Sequence, residues 1–314
     1  MLFDRIRVGR LRLLFKKKSI RQQDGFIGSA WRGLIGKTLK KIFCSWRQKR
    51  CIDCLVRSTC PYYILYEEHG NEPGFSDLPR PYIFYPLPVT DNRYLSLEVT
   101  LFGQGCEFVP HLITTCEEAG YYGLGRERIR FSLQCVLQKE LNGEWTTLYV
   151  PGEKTKITRS NFLLTDWLKH LPLVPEDDCW LVEIKSPLRL RKQKQYLSVP
   201  DWGWSFVSLA RKLSLLNNVC GGPKVEKETW LVIKDFLNSP GKSRNEVFWY
   251  DWQRYSSRQR KKVPMGGIMG KSYIEPPWQE KEVWWHWWHT AGIFHLGKGT
   301  SMGLGKVSLS PYGR

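Results

Sequence analysis

The chain has 314 residues, which predicts about two domains of ordinary size rather than one. It carries 48 Lys and Arg against 30 Asp and Glu, a formal net charge of +18, and hydrophobic residues make up 42% of it. That apolar fraction excludes an intrinsically disordered chain, so a folded protein bears the positive charge, which favours a polyanionic partner. No apolar run reaches the roughly 18 to 20 residues that span a bilayer, and we expect a soluble, intracellular protein.

The positive charge is concentrated at the two ends of the chain. Residues 1–60 have a net charge of +13, residues 61–150 of −6 and residues 151–314 of +11. Two basic ends around an acidic middle predict two surfaces that meet one ligand. An organelle transit peptide is the alternative for the Arg-rich start, but such peptides are Ser-rich and helical in period, and this segment is neither.

Four of the nine cysteines form a cluster within residues 44–60. Their spacing, Cys44-x6-Cys51-x2-Cys54-x5-Cys60, predicts a metal site, because thiolates suit tetrahedral zinc and four of them close its coordination shell. We therefore expect a structural zinc ion that performs no chemistry. An iron–sulfur cluster uses the same ligands and stays open, as do unligated or disulfide-bonded cysteines. The five scattered cysteines are expected to be small buried hydrophobic residues.

Hydrophobic periodicity in the first half of the chain predicts β-α-β-β-α-β. Residues 5–14 alternate basic and apolar side chains, which predicts a strand with one core face and one cationic face, and the alternation changes phase at Gly9 and Arg10 as at a β-bulge. Helical spacing begins at Ser29 and places lysines opposite the apolar stripe. The remaining elements are strands at 82–85, 94–102 and 128–136 and a helix at 108–119.

The second half repeats this order. We predict strands at 180–185, 247–255, 266–274 and 306–309, and helices at 206–216 and 281–291. Gly123-Leu-Gly-Arg126 and Gly303-Leu-Gly-Lys306 occupy equivalent positions, each before the last strand of its half. The predicted fold is α+β, with tandem ferredoxin-like (RRM-like) units at residues 1–150 and 151–314 and the four-cysteine metal-binding loop inserted in the first. Sheets of this kind are also the scaffold of common RNA-binding modules.

Several motifs spread over the chain resemble the CRISPR-associated endoribonucleases of the RAMP superfamily, which cut repeat RNA into guide RNAs. The most specific is the glycine-rich loop Leu296-Gly-Lys-Gly-Thr-Ser-Met-Gly-Leu-Gly305, and the others share the family's order. They are Gly28-Ser-Ala-Trp-Arg-Gly-Leu-Ile-Gly36, Cys60-Pro-Tyr62, Leu101-Phe-Gly103, Ala119-Gly-Tyr-Tyr-Gly-Leu-Gly-Arg126, Ser186-Pro-Leu-Arg-Leu-Arg191, Arg254-Tyr-Ser-Ser-Arg-Gln259 and Gly266-Gly-Ile-Met-Gly270.

The resemblance implies a prokaryotic, cytoplasmic protein whose partners are CRISPR repeat RNA, the guide RNA it retains and other subunits of a CRISPR effector complex. It implies phosphate contacts after the Ser186-Pro187 turn, in the hairpin and in the glycine-rich loop. A run of basic residues at a hairpin tip suits an RNA backbone, although a solvated loop is the alternative. The implied contacts are Arg189, Arg191, Lys192, Arg254, Arg258, Arg260, Lys261, Lys262, Lys298 and Lys306.

The family cleaves RNA without a metal ion, by attack of a 2′-hydroxyl that leaves a 2′,3′-cyclic phosphate, and many members supply a histidine from the first helix. This chain has no histidine before His69. Lys37 occupies the general position, and Lys40 and Lys41 share its helix face, so these three are the candidate catalytic residues. A lysine ammonium is charged at neutral pH and is a poor base, which favours a role as acid or electrostatic stabiliser. Phosphate binding alone is the alternative.

The other aromatic and histidine signals are weaker. His295 precedes the glycine-rich loop and is a candidate to face RNA, whereas His286 and His289 are expected to be packed or surface residues of an aromatic helix. The tryptophans are expected in the core or at an interface rather than stacked on bases. Two other functions stay open: a non-cleaving subunit that holds the repeat handle of the guide RNA, and a zinc-bearing protein that binds single strands generally.

Overall fold

The computed structural model describes residues 3–20, 25–67, 79–153, 162–256 and 261–313, without the side chains of 254–256 and 261–262. The described chain folds into two compact units. One comprises Phe3–Trp167 with Leu215–Gly222, and the other comprises Leu168–Ser214 with Pro223–Arg314. In the described ranges, no helix combines the length and the apolar character needed to cross a membrane.

An antiparallel five-stranded sheet forms the first unit. Its elements are β1 (Val8–Lys17), α1 (Gly28–Phe43), β2 (Tyr82–Leu87), β3 (Tyr94–Phe102), α2 (Val109–Tyr122), β4 (Phe131–Lys139), β5 (Trp145–Tyr149) and the start of α3 (Leu164–Lys169). The strand order is β2-β3-β1-β4-β5, so the predicted element order is present and β5 is an additional edge strand. The prediction of a bulge at Gly9 and Arg10 is wrong, because β1 pairs with β3 without interruption. The register of β1 shifts instead between Leu14 and Phe15, where it pairs with β4.

The first unit extends past residue 150, where the sequence placed its end. Backbone hydrogen bonds join Val8 N–H to the Phe162 carbonyl over 2.9 Å and Leu164 N–H to the Ile6 carbonyl over 2.8 Å. The indole N–H of Trp167 also donates to the Val8 carbonyl over 3.1 Å. These bonds hold the start of α3 against the beginning of β1, which explains why the unit continues to Trp167.

The second unit contains a four-stranded antiparallel sheet. Its elements are β6 (Trp180–Leu188), β7 (Arg191–Lys192), β8 (Gln195–Tyr196), α4 (Trp202–Val219), α5 (Lys227–Leu237), β9 (Lys242–Tyr250), β10 (Gln253–Ser256), β11 (Lys261–Pro264), β12 (Gly267–Glu275), α6 (Lys281–Phe294) and β13 (Val307–Pro311). The sheet order is β13-β6-β12-β9, while β7 pairs with β8 and β10 with β11 in separate two-stranded sheets. The predicted strand at 247–255 therefore ends at Tyr250, and the chain then forms the β10–β11 hairpin.

Aromatic side chains fill the core of each unit, as expected for most of the tryptophans of α6. In the first unit, the rings of Phe15 and Trp31 have centroids 4.9 Å apart, and both side chains are fully buried. In the second unit, Phe206 lies 5.2 Å from Trp284 and 4.8 Å from Trp288 in edge-to-face contacts. Such pairs bury large apolar areas in favourable geometry, so they anchor α1 against its sheet and α6 against α4.

Candidate nucleic-acid interface

The three candidate catalytic lysines meet at one surface pocket beside α1. The pocket is shallow and has a volume of about 330 Å³. Lys37 and Lys41 are exposed and Lys40 is half-buried. Among the residues that the structure describes, every charged side chain that lines it is cationic, so the pocket suits a phosphate group. The lining residues are Gly36, Lys37, Lys40, Lys41, Arg47 and Tyr62.

The segment that follows the cysteine loop returns to the same face of α1. The rings of Tyr62 and Tyr66 stack with centroids 5.7 Å apart and planes 2° from parallel. Arg32 lies over Tyr66 at 5.4 Å and Lys40 over Tyr62 at 4.9 Å. Between them, Gly36 leaves room for the Tyr66 ring, since a Cβ there would lie 2.5 Å from a ring carbon. We call this arrangement the tyrosine ladder; it fixes Tyr62 at the pocket.

Tyr62 also has a carboxylate partner. Its hydroxyl donates a hydrogen bond of 2.8 Å to Oε1 of Glu67. Burial raises the pKa of Tyr62, and the hydrogen bond to Glu67 raises it further, so the phenol stays protonated at neutral pH. Sequence reasoning missed Tyr62, Glu67 and Arg47. The motif Cys60-Pro-Tyr62 was the available signal for Tyr62, whereas its contact with Glu67 depends on the π-helical turn Tyr63–Glu67.

Two contacts position the far side of the pocket. The Lys41 ammonium donates to the hydroxyl of Tyr122 and lies 4.4 Å from the centre of its ring. A terminal nitrogen of Arg47 donates to the Lys41 carbonyl over 2.7 Å. Lys41 is therefore held by Tyr122, which leaves Lys37 and Lys40 as the better candidates for a reacting phosphate.

The four cysteines of the predicted metal site are all half-buried thiols. Burial raises the pKa of Cys51, the Lys40 ammonium lowers it, and Glu67, Cys44 and Cys60 raise it further. Thiolates are soft donors that fit zinc. Within the described residues, however, no three ligand side chains stand in metal-binding positions. A zinc ion would require the loop to close around it.

The cationic face predicted for the first strand exists, but other side chains cover part of it. Arg10 donates to Glu98 over 2.8 Å, and Arg12 lies 3.7 Å from the other oxygen of the same carboxylate. The Arg12 guanidinium also stacks over Trp145 at 4.2 Å. Burial lowers the pKa of nearby Lys139, with a further contribution from Arg10. Glu98 thus offsets part of the positive charge of this face.

The glycine-rich loop packs closely against the chain that follows β6. Gly297 and Gly305 have φ angles of +73° and +72°, which side chains rarely adopt. A Cβ would lie 2.5 Å from the Arg189 carbonyl at Gly297 and 1.9 Å from the Leu296 carbonyl at Gly305. The glycines are therefore required by the backbone packing of the loop itself.

Two of the implied RNA contacts support this loop instead of facing solvent. Arg189 is 7% exposed, donates to the Gly266 carbonyl over 3.1 Å and lies 4.4 Å from the Tyr196 ring. Lys306 donates to the Gly292 carbonyl over 2.8 Å. Because both cations bond to the protein's own carbonyl groups, their positions favour scaffolding over phosphate binding.

The other implied contacts of the second unit differ in exposure. Lys298, Arg191 and Lys192 are exposed, and Lys192 forms an ion pair of 2.7 Å with Asp201. The Lys298 N–H bonds to the Arg189 carbonyl over 2.9 Å, which brings the glycine-rich loop next to β7. Arg258 and Arg260 lie outside the described residues. The backbones of Arg254, Lys261 and Lys262 form the β10–β11 hairpin, but their side chains are outside the description.

Among the described residues, no histidine lines the pocket. His295 is 2% exposed and its Nδ1 lies 3.1 Å from the Leu304 carbonyl, so it is part of the loop's interior and does not face RNA. Burial lowers the pKa of His289 to about 4, and His286 contributes. The expectation that these two belong to an aromatic helix is confirmed by the contact of His289 with Trp285 at 4.5 Å. His69 lies outside the described residues.

The described chain thus combines two antiparallel α+β units with a cationic pocket on the first and a glycine-rich loop in the second. Two family models match the chain. Residues 6–161 match AF_1859_N, described as an N-terminal domain, and residues 182–307 match the CRISPR-associated endoribonuclease Cas6. The match of residues 182–307 confirms the resemblance of the motifs to RAMP-type proteins of CRISPR repeat processing.

Solved structures share the fold over nearly the whole chain. A Cas6 product complex has a TM-score of 0.59 at 13% identity and covers 97% of this chain and 99% of its own. A Thermus thermophilus Cas6 has a TM-score of 0.55 with the same identity and coverage. An uncharacterised Archaeoglobus fulgidus protein is 31% identical over 103 residues. The match spans 32% of this chain and 36% of that protein.

Proposed function

We propose that the protein binds CRISPR repeat RNA and cleaves precursor transcripts into guide RNAs without a metal ion, retaining the product. The observation that carries the proposal is the pocket in which Lys37, Lys40 and Arg47 surround a space large enough for a phosphate group. The Cas6 family match and the Cas6 product complex among the similar structures support RNA as the ligand. A similar chain in a Cas6-RT-Cas1–Cas2 complex, of which this chain covers 29% at a TM-score of 0.54, supports CRISPR proteins as further partners.

The proposed chemistry is transfer of the scissile phosphate to the neighbouring 2′-hydroxyl. The 2′-oxygen forms a bond to phosphorus, the bond to the 5′-oxygen breaks, and the products are a 2′,3′-cyclic phosphate and a 5′-hydroxyl. Negative charge develops on the phosphorane oxygens, and preorganised cations stabilise it most strongly where water is displaced. Lys40, held over Tyr62, and Lys37, exposed at the pocket, are placed for that role, and Lys37 is the candidate acid for the leaving oxygen.

A ferredoxin-like (RRM-like) organisation of each unit belongs to this proposal. The strand orders β2-β3-β1-β4 and β13-β6-β12-β9 support it, because a β-α-β-β-α-β chain of that kind has its first strand between the third and fourth. Both sheets are antiparallel throughout, with the two main helices of each unit between the same pairs of strands.

A second candidate function is a non-cleaving subunit that holds the repeat handle of the guide RNA. The specific observation in its favour is that the sequence has no histidine before His69. Lysines at the pocket would then only neutralise phosphates.

Incubation with cognate repeat RNA in excess chelator distinguishes these functions. We expect cleavage that yields a 2′,3′-cyclic phosphate end, together with tight retention of the product. RNA that is bound tightly but stays intact would replace the first function with the second. Binding that ignores the repeat sequence would instead indicate a general single-strand-binding protein.

We further propose that Cys44, Cys51, Cys54 and Cys60 bind a structural zinc ion. The spacing Cys44-x6-Cys51-x2-Cys54-x5-Cys60 supports it. Four thiolates fill the coordination shell of zinc, so the metal would order the loop without entering the cleavage chemistry.

Metal analysis of the purified protein tests the zinc proposal. We expect zinc bound to the wild type, its loss in Cys51→Ser, and a lower melting temperature for that variant. Cys135→Ser is the matched control, because Cys135 is also a half-buried thiol but lies on β4. Protein free of metal after expression in zinc-supplemented medium would refute the zinc site, and bound iron would assign the cysteines to a cluster.

A further inference from the structure

In the described part of the chain, the cationic pocket is lined by acids and stabilisers and by no evident base. The charged side chains of this described lining are three lysines and one arginine, and protonated amines and guanidinium groups accept no proton at neutral pH. Attack by a 2′-hydroxyl nevertheless needs an acceptor for the hydroxyl proton. The acceptor must be within hydrogen-bond distance of the reacting group, either directly or through one intermediate.

Tyr62 lines the pocket and is hydrogen-bonded to a carboxylate. Its hydroxyl is bonded to Glu67 Oε1 at 2.8 Å, and its ring is fixed between Lys40 and Tyr66 in the tyrosine ladder. Glu67 is exposed, and among the described residues it is not one of those lining the pocket. The phenol oxygen therefore connects the pocket to an acceptor outside it.

We propose, on the basis of the proposed function, that Tyr62 and Glu67 form the proton-accepting pair of the cleavage reaction. The Tyr62 oxygen accepts the 2′-hydroxyl proton while the Tyr62 proton passes to the Glu67 carboxylate. The 2′-oxygen bonds to phosphorus, the bond from phosphorus to the 5′-oxygen breaks, and a pocket ammonium protonates the leaving oxygen. Tyr62 ends as it began, and Glu67 and the lysine exchange protons with water before the next turnover.

The geometry of Tyr62 fits this role. Its hydroxyl donates to Glu67 and leaves its oxygen lone pairs for the substrate. Two cations of α1 contact the tyrosine ladder, Lys40 at the ring of Tyr62 and Arg32 at the ring of Tyr66. These ring contacts orient the pair.

The variant Tyr62→Phe removes the hydroxyl and keeps the ring, so the ladder is preserved. We expect single-turnover cleavage to fall by about 10² or more while RNA binding, measured with a 2′-deoxy substrate, is unchanged. Glu67→Gln keeps a hydrogen-bond acceptor but not a base, and we expect a similar loss of single-turnover cleavage with unchanged RNA binding. A merely structural role for Glu67 would leave the cleavage rate of this variant at the wild-type value.

Tyr149→Phe is the matched control, because the Tyr149 hydroxyl also donates a 2.8 Å bond to a glutamate, Glu117, and does not line the pocket. We expect it to cleave at the wild-type rate. Wild-type cleavage by Tyr62→Phe, or equal losses of cleavage and binding, would overturn the proton-accepting pair alone. If the wild type leaves repeat RNA intact, the proposed function fails, and the pair fails with it.

Discussion

A lysine where related sequences can place a histidine changes the chemistry available at that residue. Imidazole exchanges a proton near neutral pH, whereas an ammonium group offers charge and a proton to donate. Lys37 is exposed at the pocket, and Lys40 and Lys41 are both engaged by tyrosine rings. Lys37 is therefore the lysine whose ammonium is most available to a leaving oxygen.

We expect Lys37→Ala to slow single-turnover cleavage by about 10² while weakening RNA binding far less. The comparison uses rates at saturating protein and equilibrium binding to uncleavable RNA. Lys234→Ala, which removes an exposed lysine from α5, is the matched control for charge and should change neither quantity. Equal losses of rate and affinity would make Lys37 a phosphate contact only.

Sequence reasoning located part of this site because helical spacing is visible in a sequence. Residues three and four apart share a helix face, which brought Lys37, Lys40 and Lys41 together correctly. Tyr62 and Glu67 were missed because their contact depends on how the chain returns after the cysteine loop. The burial of a side chain also cannot be read from the sequence. Arg189, a basic residue in a family motif, was therefore assigned to RNA, although its guanidinium bonds to the Gly266 carbonyl.

At the scale of elements, Arg189 connects the glycine-rich loop with the base of the β10–β11 hairpin, which belong to separate sequence motifs. Its side chain bonds to Gly266, next to the base of the β10–β11 hairpin, and its carbonyl accepts from Lys298 in the glycine-rich loop. Ser186 makes a similar link, since its hydroxyl donates to the Gly303 carbonyl over 2.7 Å. The conformations of the loop and of the hairpin base thus depend on the chain that follows β6.

We expect Arg189→Ala to lower the free energy of unfolding by about 1–3 kcal/mol, because it leaves the Gly266 carbonyl without its partner. Arg191→Ala, two residues away and exposed, should leave stability unchanged and weaken RNA binding. Urea unfolding and RNA titration of both variants provide the measurement. If the Arg189→Ala variant is as stable as the wild type but binds RNA poorly, Arg189 is a direct RNA contact.

The elements themselves were predictable where periodicity is strong and flanked by glycine or proline. The four main strands and two main helices of each unit follow from such patterns. By contrast, α5 was missed although its apolar residues recur with helical spacing, and of its residues only Ile233 and Leu237 are buried. The short strands β5, β7 and β8 have too few residues for alternation to distinguish them from loops.

For the whole molecule, the net charge of +18 is distributed over both units rather than gathered at one site. The first unit carries the pocket cations, and the second carries the exposed Arg191 and Lys298. Some of the 48 basic side chains already have carboxylate partners, as Arg10 has in Glu98 and Lys192 has in Asp201. Fewer than 48 cations are therefore available to contact RNA.

RNA affinity should fall steeply with salt, because each neutralised phosphate releases counterions. For single-stranded contacts, the slope of log affinity against log salt is about −0.7 per phosphate. We expect Arg191→Ala and Lys298→Ala each to reduce the slope by about that amount, measured by titration over a range of salt concentrations. A slope that neither variant changes would remove both residues from the RNA contact.

The segment that contains the cysteine loop begins at the end of α1 and returns to α1 at the tyrosine ladder. The chain departs after Phe43 and comes back at Tyr62 and Tyr66, whose hydroxyl bonds to the Arg32 carbonyl over 3.0 Å. Because both ends of this segment are fastened to one helix, a change in its length costs little closure entropy, about 0.6 kcal/mol for a doubling. A longer or shorter segment is therefore compatible with an undisturbed Lys37 where it keeps Arg47 at the pocket and the four cysteines of the proposed zinc site.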